Sequence, residues 1–165
     1  MIQSMPQSRA GTLAAKLEKG RQKTFEILNA LTPEQWQRPL YHQPIWLVRH
    51  LLAHFVSAEL QLLALAQAVA AGSPGTPPDF DIDRFNAGEQ IRLEGRSPTI
   101  LLDHLDRARR QTIEWVRTLD ADQLARIGRH PALGDVNVET MIMAIYGHQL
   151  LHMRDLSRLL GSVVY

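Results

Sequence analysis

A chain of 165 residues is long enough to close one hydrophobic core without staples. Hydrophobic residues at 45% and charged residues at 21% are ordinary for a globular protein, and a net charge of +1 gives no electrostatic reason to expect a nucleic-acid or anionic-membrane partner. Cysteine is absent, which excludes disulfides, zinc–thiolate ligation and a protein thiol nucleophile, so any metal must sit on His, Asp or Glu.

From the N-terminus, MIQSMPQSRAGTLAAKLEKG lacks the apolar core of a signal peptide. No uncharged apolar run approaches the roughly 18 to 20 residues that span a bilayer, so a cytoplasmic location with no membrane partner is expected. The first long helix is predicted from about Ser8 to Leu31, with Leu13, Leu17, Phe25 and Leu28 as its apolar stripe. Thr32-Pro33-Glu34-Gln35 has the form of a capping box with proline in the first turn, and starts a short helical turn through Trp36. A second long helix runs from about Ile45 to Ala71 and is stopped by Gly72-Ser73-Pro74-Gly75. The stretch from Gly72 to Gly95 is irregular apart from a short helix around Asp83 to Leu93. A connection that long is usually functional, or a crossover linking two parallel helices.

Ser97-Pro98 opens a third helix that continues to about Leu119, followed by one more short turn over Asp120 to Leu124. Gly128 to Val136 reads as a loop. The fourth helix runs from about Asn137, a plausible N-cap, to Leu160, with Gly161 as its stop. No stretch alternates with period two for long enough to predict a strand. Residues 1–165 are therefore expected to form a single all-α domain, an antiparallel four-helix bundle with a long crossover between helices two and three.

Seven histidines occur, at positions 42, 50, 54, 104, 130, 148 and 152. His148 and His152, four residues apart on a helix, leave the same face one turn apart, which suits two imidazoles gripping one ion. Their face is the core face. Met141, Ile145, His148, His152, Leu156 and Leu159 trace one stripe, and Leu47, Leu51, His54, Ala58, Leu62 and Leu65 trace another. Burying three polar rings without a shared partner costs roughly 1 to 3 kcal/mol per unsatisfied group, so the pattern favours a metal held by His54, His148 and His152. His50 lies four residues before His54 on the flank of its stripe, an alternative or additional ligand whose better reading is the rim of the pocket. His42, His104 and His130 are expected in loops or on exposed faces, without a role.

These same residues resemble the DinB/YfiT-like family of metal-dependent proteins. The matching segments are Trp46 to Glu59 (WLVRHLLAHFVSAE) and Gly147 to Leu156 (GHQLLHMRDL), with Asp83-Arg84-Phe85-Asn86 between them like the Asp-x-x-Asn of many relatives. The likeness extends from about Leu13 to Leu160. It implies a four-helix bundle, a divalent metal on three histidines, a homodimer, and His54 rather than His50 as ligand with Glu59 as the motif carboxylate. Five residues beyond His54, Glu59 stands about 140° round the helix, so it is expected to support the structure near the site and not to bind the same ion.

Relatives use small thiols such as bacillithiol, mycothiol or glutathione, and the resemblance implies a transferase or isomerase acting with a low-molecular-weight thiol on a small-molecule substrate. A metal-dependent hydrolase and a noncatalytic metal- or small-molecule-binding bundle are the alternatives. Zinc or nickel suits three imidazoles best, with iron or manganese also compatible, since histidine discriminates among them poorly. Asp155 and Asp83 are the candidate catalytic carboxylates, as base or supporting partner, with Asn86 beside Asp83. Arg49 and Arg154 are candidates to bind an anionic substrate group.

Overall fold

The computed structural model describes residues 8–42 and 45–161. Helix α1 (Arg9–Asn29) is capped by Ser8, whose hydroxyl accepts from the Gly11 amide. The short α2 (Pro33–Trp36) starts in the capping box of Thr32 and Gln35 that the sequence announces. Next come strands β1 (Pro39–His42) and β2 (Ile45–Leu47), an antiparallel hairpin leading straight into α3 (Val48–Ala70). Helix α4 (Ile82–Leu93) lies in the irregular connection. Helix α5 (Pro98–Arg117) is capped by Ser97, and α6 (Ala121–Ala125) by Asp120. A second hairpin, β3 (Ile127–His130) with β4 (Gly134–Asn137), precedes α7 (Val138–Leu160), which Gly161 ends in the left-handed conformation.

The long helices α1, α3, α5 and α7 form the bundle, and its two core clusters give their directions. The N-terminal halves of α1 and α7 (Ala14, Leu17, Met141, Ile142) share one cluster with the C-terminal ends of α3 and α5 (Ala66, Val69, Ile113, Val116). At the other end Leu28, Leu51, Leu101 and Leu156 meet. Helices α1 and α7 thus run one way, α3 and α5 the other. The bundle is antiparallel across the α1–α5 and α3–α7 contacts, while α3 and α5 are parallel. That is the physical reason for the long connection: after α3 the chain must travel back along the bundle before α5 can start.

Two expectations need correction. The connections hold two β-hairpins where none was predicted, and residues 45–47 are strand, not the first turn of helix two. The strands have only three or four residues each, too short for an alternation to stand out. By length and composition α3 is apolar enough to cross a membrane, although Arg49 and Glu59 interrupt its apolar run as the sequence shows. More than half of it is buried within the bundle instead, as expected of a core helix.

Inside the core Glu59 of α3 and Arg109 of α5 form a two-pronged ion pair, Nε to Oε1 at 2.8 Å and a terminal nitrogen to Oε2 at 2.7 Å. Arg109 also donates to Gln149 Oε1 at 3.0 Å, and the Thr112 hydroxyl donates to Glu59 at 2.7 Å. All four side chains are buried. Glu59 is therefore the structural carboxylate its helical angle implies, and its partners stitch α3, α5 and α7 together one layer below the histidines.

Candidate metal centre and its cleft

His54 stands on α3 and His148 and His152 on α7, where the two stripes face each other. The Nε2 atoms of His54 and His148 are 2.9 Å apart, and those of His148 and His152 are 3.2 Å apart. All three ligand nitrogens lie within 4.8 Å of one another. Two nitrogens bound at about 2.1 Å to one ion are separated by about 3.0 Å at a right angle and about 3.4 Å at the tetrahedral angle. The spacing fits a shared cation.

Hydrogen bonding within the ring cluster fits that reading too. The Tyr41 hydroxyl lies 2.7 Å from His152 Nδ1 and donates its one proton to Asp155 Oδ2 at 2.8 Å. It must then accept from Nδ1, which puts the His152 proton on Nδ1 and leaves a lone pair on Nε2. His148 Nε2 can carry one proton at most, yet it faces two neighbouring nitrogens. No set of neutral tautomers gives each contact its own proton, whereas three lone pairs turned toward one cation satisfy all of them.

The electrostatics keep those lone pairs free. Burial pushes His54 down to about 4, with the nearby His152 ring adding to the effect. Burial, followed by repulsion from His54 and His152, lowers His148 to about 3. His152 is also lowered by burial, against an opposing pull from Asp155. Burial and the Asp155 carboxylate together make Tyr41 a weaker acid than usual, so its hydroxyl stays protonated and able to donate.

The first hairpin is what puts Tyr41 and Trp46 here. Tyr41 and Trp46 are paired across β1 and β2, and the Trp46 ring meets His54 edge-on at 5.2 Å between centroids. His50 is not part of the cluster. Its Nδ1 accepts the Leu47 amide at 3.2 Å, capping the start of α3, while Gln90 of α4 donates to its carbonyl at 2.9 Å.

The histidines stand in a cleft of about 1570 Å³ between α3, α4, α7 and the second hairpin. Leu62 and Leu65, half-buried members of the predicted α3 stripe, face this space. Asp83 and Asn86 line it from α4, where Asp83 is exposed. No lysine or arginine lines it among the described residues, and neither Arg49 nor Arg154 reaches it.

A model of the DinB superfamily matches residues 16–156. The chain belongs to the DinB superfamily. No curated protein matches it in sequence. Among solved structures, YfiT from Bacillus subtilis, described as "a probable metal-dependent hydrolase with an unusual four-helix bundle topology", superposes with a TM-score of 0.70 at 18% identity, over 99% of this chain and 94% of that one. The mycothiol-dependent maleylpyruvate isomerase gives 0.74 at 15% identity, over 90% of this chain and 61% of that one. The colibactin self-resistance protein ClbS, in complex with double-stranded DNA, gives 0.73 at 17% identity, over 97% and 99%. At such identities the likeness shows the DinB fold alone. Because one DinB-fold neighbour is seen with DNA, a net charge of +1 is not ground for excluding a nucleic-acid partner.

Two DinB-fold residues escaped the sequence reading. Tyr41 lies in a strand too short to show a pattern, and its partners are more than a hundred positions away. His130 was expected to be exposed and without a role, and this is corrected: it is 6% exposed, in β3, and lines the same cleft. Gly128 and His130 alternate inward along β3, but neither is an apolar residue that would have marked a buried face.

Proposed function

We propose that this DinB protein is a divalent-metal-dependent enzyme in which His54, His148 and His152 hold the ion, zinc or nickel before iron or manganese. The reaction we favour is transfer or isomerisation with a low-molecular-weight thiol. The observation carrying the proposal is the convergence of three neutral imidazole nitrogens in an open, roomy cleft. A site built only for storage has no need of such space beside its ligands.

A divalent cation so held supplies a Lewis acid that lowers the pKa of a thiol or water brought to it. The protein supplies the rest. His152 is held in one tautomer by Tyr41, and Asp155 holds Tyr41, so this carboxylate works through the tyrosine and does not face the reactants itself. Asp83, with Asn86 one turn further along α4, is the carboxylate able to take a proton from, or orient, a molecule in the cleft. The absence of cysteine supports a sulfur that arrives with the cosubstrate.

One observation favours hydrolysis as a second reading. A thiol bearing carboxylates would be matched by cations in the cleft mouth, and the only fixed charge lining it among the described residues is the carboxylate of Asp83. Metal-replete protein should be assayed with neutral and anionic thiols against an electrophile panel, and with esters and amides without thiol. Turnover that requires a thiol supports the first reading, and turnover without one supports the second. No turnover by fully metal-loaded protein on either panel would leave a binding function.

A further inference from the structure

The large apolar side chains that keep contact with solvent are not spread evenly over the molecule. Nine are exposed among the described residues, and five of these, Phe80, Ile82, Ile91, Leu133 and Leu151, line the cleft that holds the three histidines. Single exposed apolar residues need no explanation, but a gathered set marks a surface that binds something. These five come from three separate parts of the chain: the connection that carries α4, the turn of the second hairpin, and α7. Their meeting is a product of the fold and not of one apolar stretch of sequence.

The shape and charge of the cleft narrow what can fill it. On α3 the lining residues His54, Ala58, Leu62 and Leu65 recur on one helical face, and the helical rise from the first to the last makes that face about 16 Å long. Across from them α7 contributes Ala144 and Gly147, and a Cβ at Gly147 would meet nothing within 4 Å. Small residues in the middle thus keep the space open from the histidines towards Leu65. No lysine or arginine lines it among the described residues, and Asp83 is its one carboxylate. An anionic group would find no partner along these walls and one repulsive charge.

Resting on the enzyme reading above, we infer that the substrate is a neutral, elongated and largely apolar small molecule, whose body lies along the α3 floor from the histidines towards Leu65. Burial of its hydrocarbon against Leu62, Leu133 and Leu151 supplies the affinity, as in other ligand clefts with mostly apolar walls. A second copy of this chain suits the surface less well. Any helix or loop filling the cleft would block the space beside the histidines that the enzyme reading needs for a reactant.

The test uses metal-free protein and N-phenyl-1-naphthylamine, a neutral apolar dye that brightens on leaving water. The dye is displaced by hexanol, octanol and decanol, and by the carboxylates of the same lengths. In wild type each added methylene should tighten binding of the alcohols by about fourfold, the factor that burying one such group gives. Each carboxylate should bind at least about tenfold more weakly than its alcohol. Leu133→Asp and Leu151→Asp, both at exposed positions, should weaken decanol binding, whereas Ile100→Asp, exposed but outside the cleft, should not. No dye binding by wild type, carboxylates held as tightly as alcohols, affinity that does not rise with chain length, or cleft variants equal to wild type would each overturn the inference. A smaller assembly by light scattering in the two cleft variants, with dye binding unchanged, would mean that a second copy covers the cleft and would overturn it too. The wild-type series decides even if a variant fails to fold. Because no ion is present, a failed metal titration would sink the metal reading and leave this binding preference standing, and the converse also holds.

Discussion

Replacing Tyr41 with phenylalanine removes one oxygen and, with it, the 2.7 Å contact to His152 Nδ1 and the 2.8 Å bond to Asp155. The ring still fills its place in the hairpin, so packing against Trp46 and His152 is kept. What is lost is the constraint that leaves the His152 lone pair on Nε2. Losing such a supporting hydrogen bond typically weakens metal binding by about 10- to 100-fold, roughly 1.4 to 2.7 kcal/mol. The assay is zinc competition against a chromophoric chelator at neutral pH, with thermal unfolding of the metal-free protein as a control for stability. Tyr41→Phe should lower zinc affinity within that range. Asp155→Asn should lower it less, because the amide oxygen still accepts from Tyr41. Zinc affinity within twofold of wild type in both variants would refute the idea that Asp155 and Tyr41 orient a ligand.

Acid should destabilise the metal-free protein through its buried histidines. The unfolded chain takes up protons on these rings below their ordinary 6.5, whereas the folded chain keeps His54 neutral to about 4 and His148 to about 3. Stability from these rings is thus complete above 6.5 and falls with pH below it, by about 2 kcal/mol per ring at pH 5; equal urea midpoints for chelator-treated protein at pH 7.5 and 5 would contradict this. Arg109→Met should cost about 3 to 5 kcal/mol by leaving the Glu59 carboxylate buried without a countercharge, with only the Thr112 hydroxyl donating to it, and adding Glu59→Leu should recover most of it. Denaturant melts of the single and double variants decide, and a double variant as unstable as the single would contradict the argument. The protein is also proposed to be a homodimer, with exposed Ile45 and Ile127, outside the cleft, as apolar surface to cover. Light scattering at micromolar concentrations should give twice the chain mass, and a monomer mass would refute it.

Much of the site was legible because helical periodicity is a long-range signal. Twenty residues of repeated spacing put His54, His148 and His152 on inward faces, and the angle between His54 and Glu59 separated a possible ligand from a structural carboxylate. The same spacing could not reveal that α3 and α5 are parallel; only the length of the connection hinted at it. Tyr41 and His130 stayed hidden for a different reason. Each sits in a four-residue strand, where pairing and not periodicity sets the direction of the side chain. Tyr41 matters through partners brought near by tertiary packing, and His130 through the cleft that the same packing builds beside it. His50 shows why spacing alone does not assign a ligand: it has ligand spacing to His54, yet its Nδ1 is committed to the Leu47 amide.

The central claim is that three particular imidazoles hold one divalent ion, and metal content of untagged protein tests it most directly. After titration with zinc or nickel and removal of free ion, elemental analysis should find one ion per chain in wild type and in His50→Ala. It should find far less in His54→Ala, His148→Ala or His152→Ala, with each variant still folded by circular dichroism. Equal metal in wild type and all three ligand variants, or none in wild type after titration with either ion, would contradict the account.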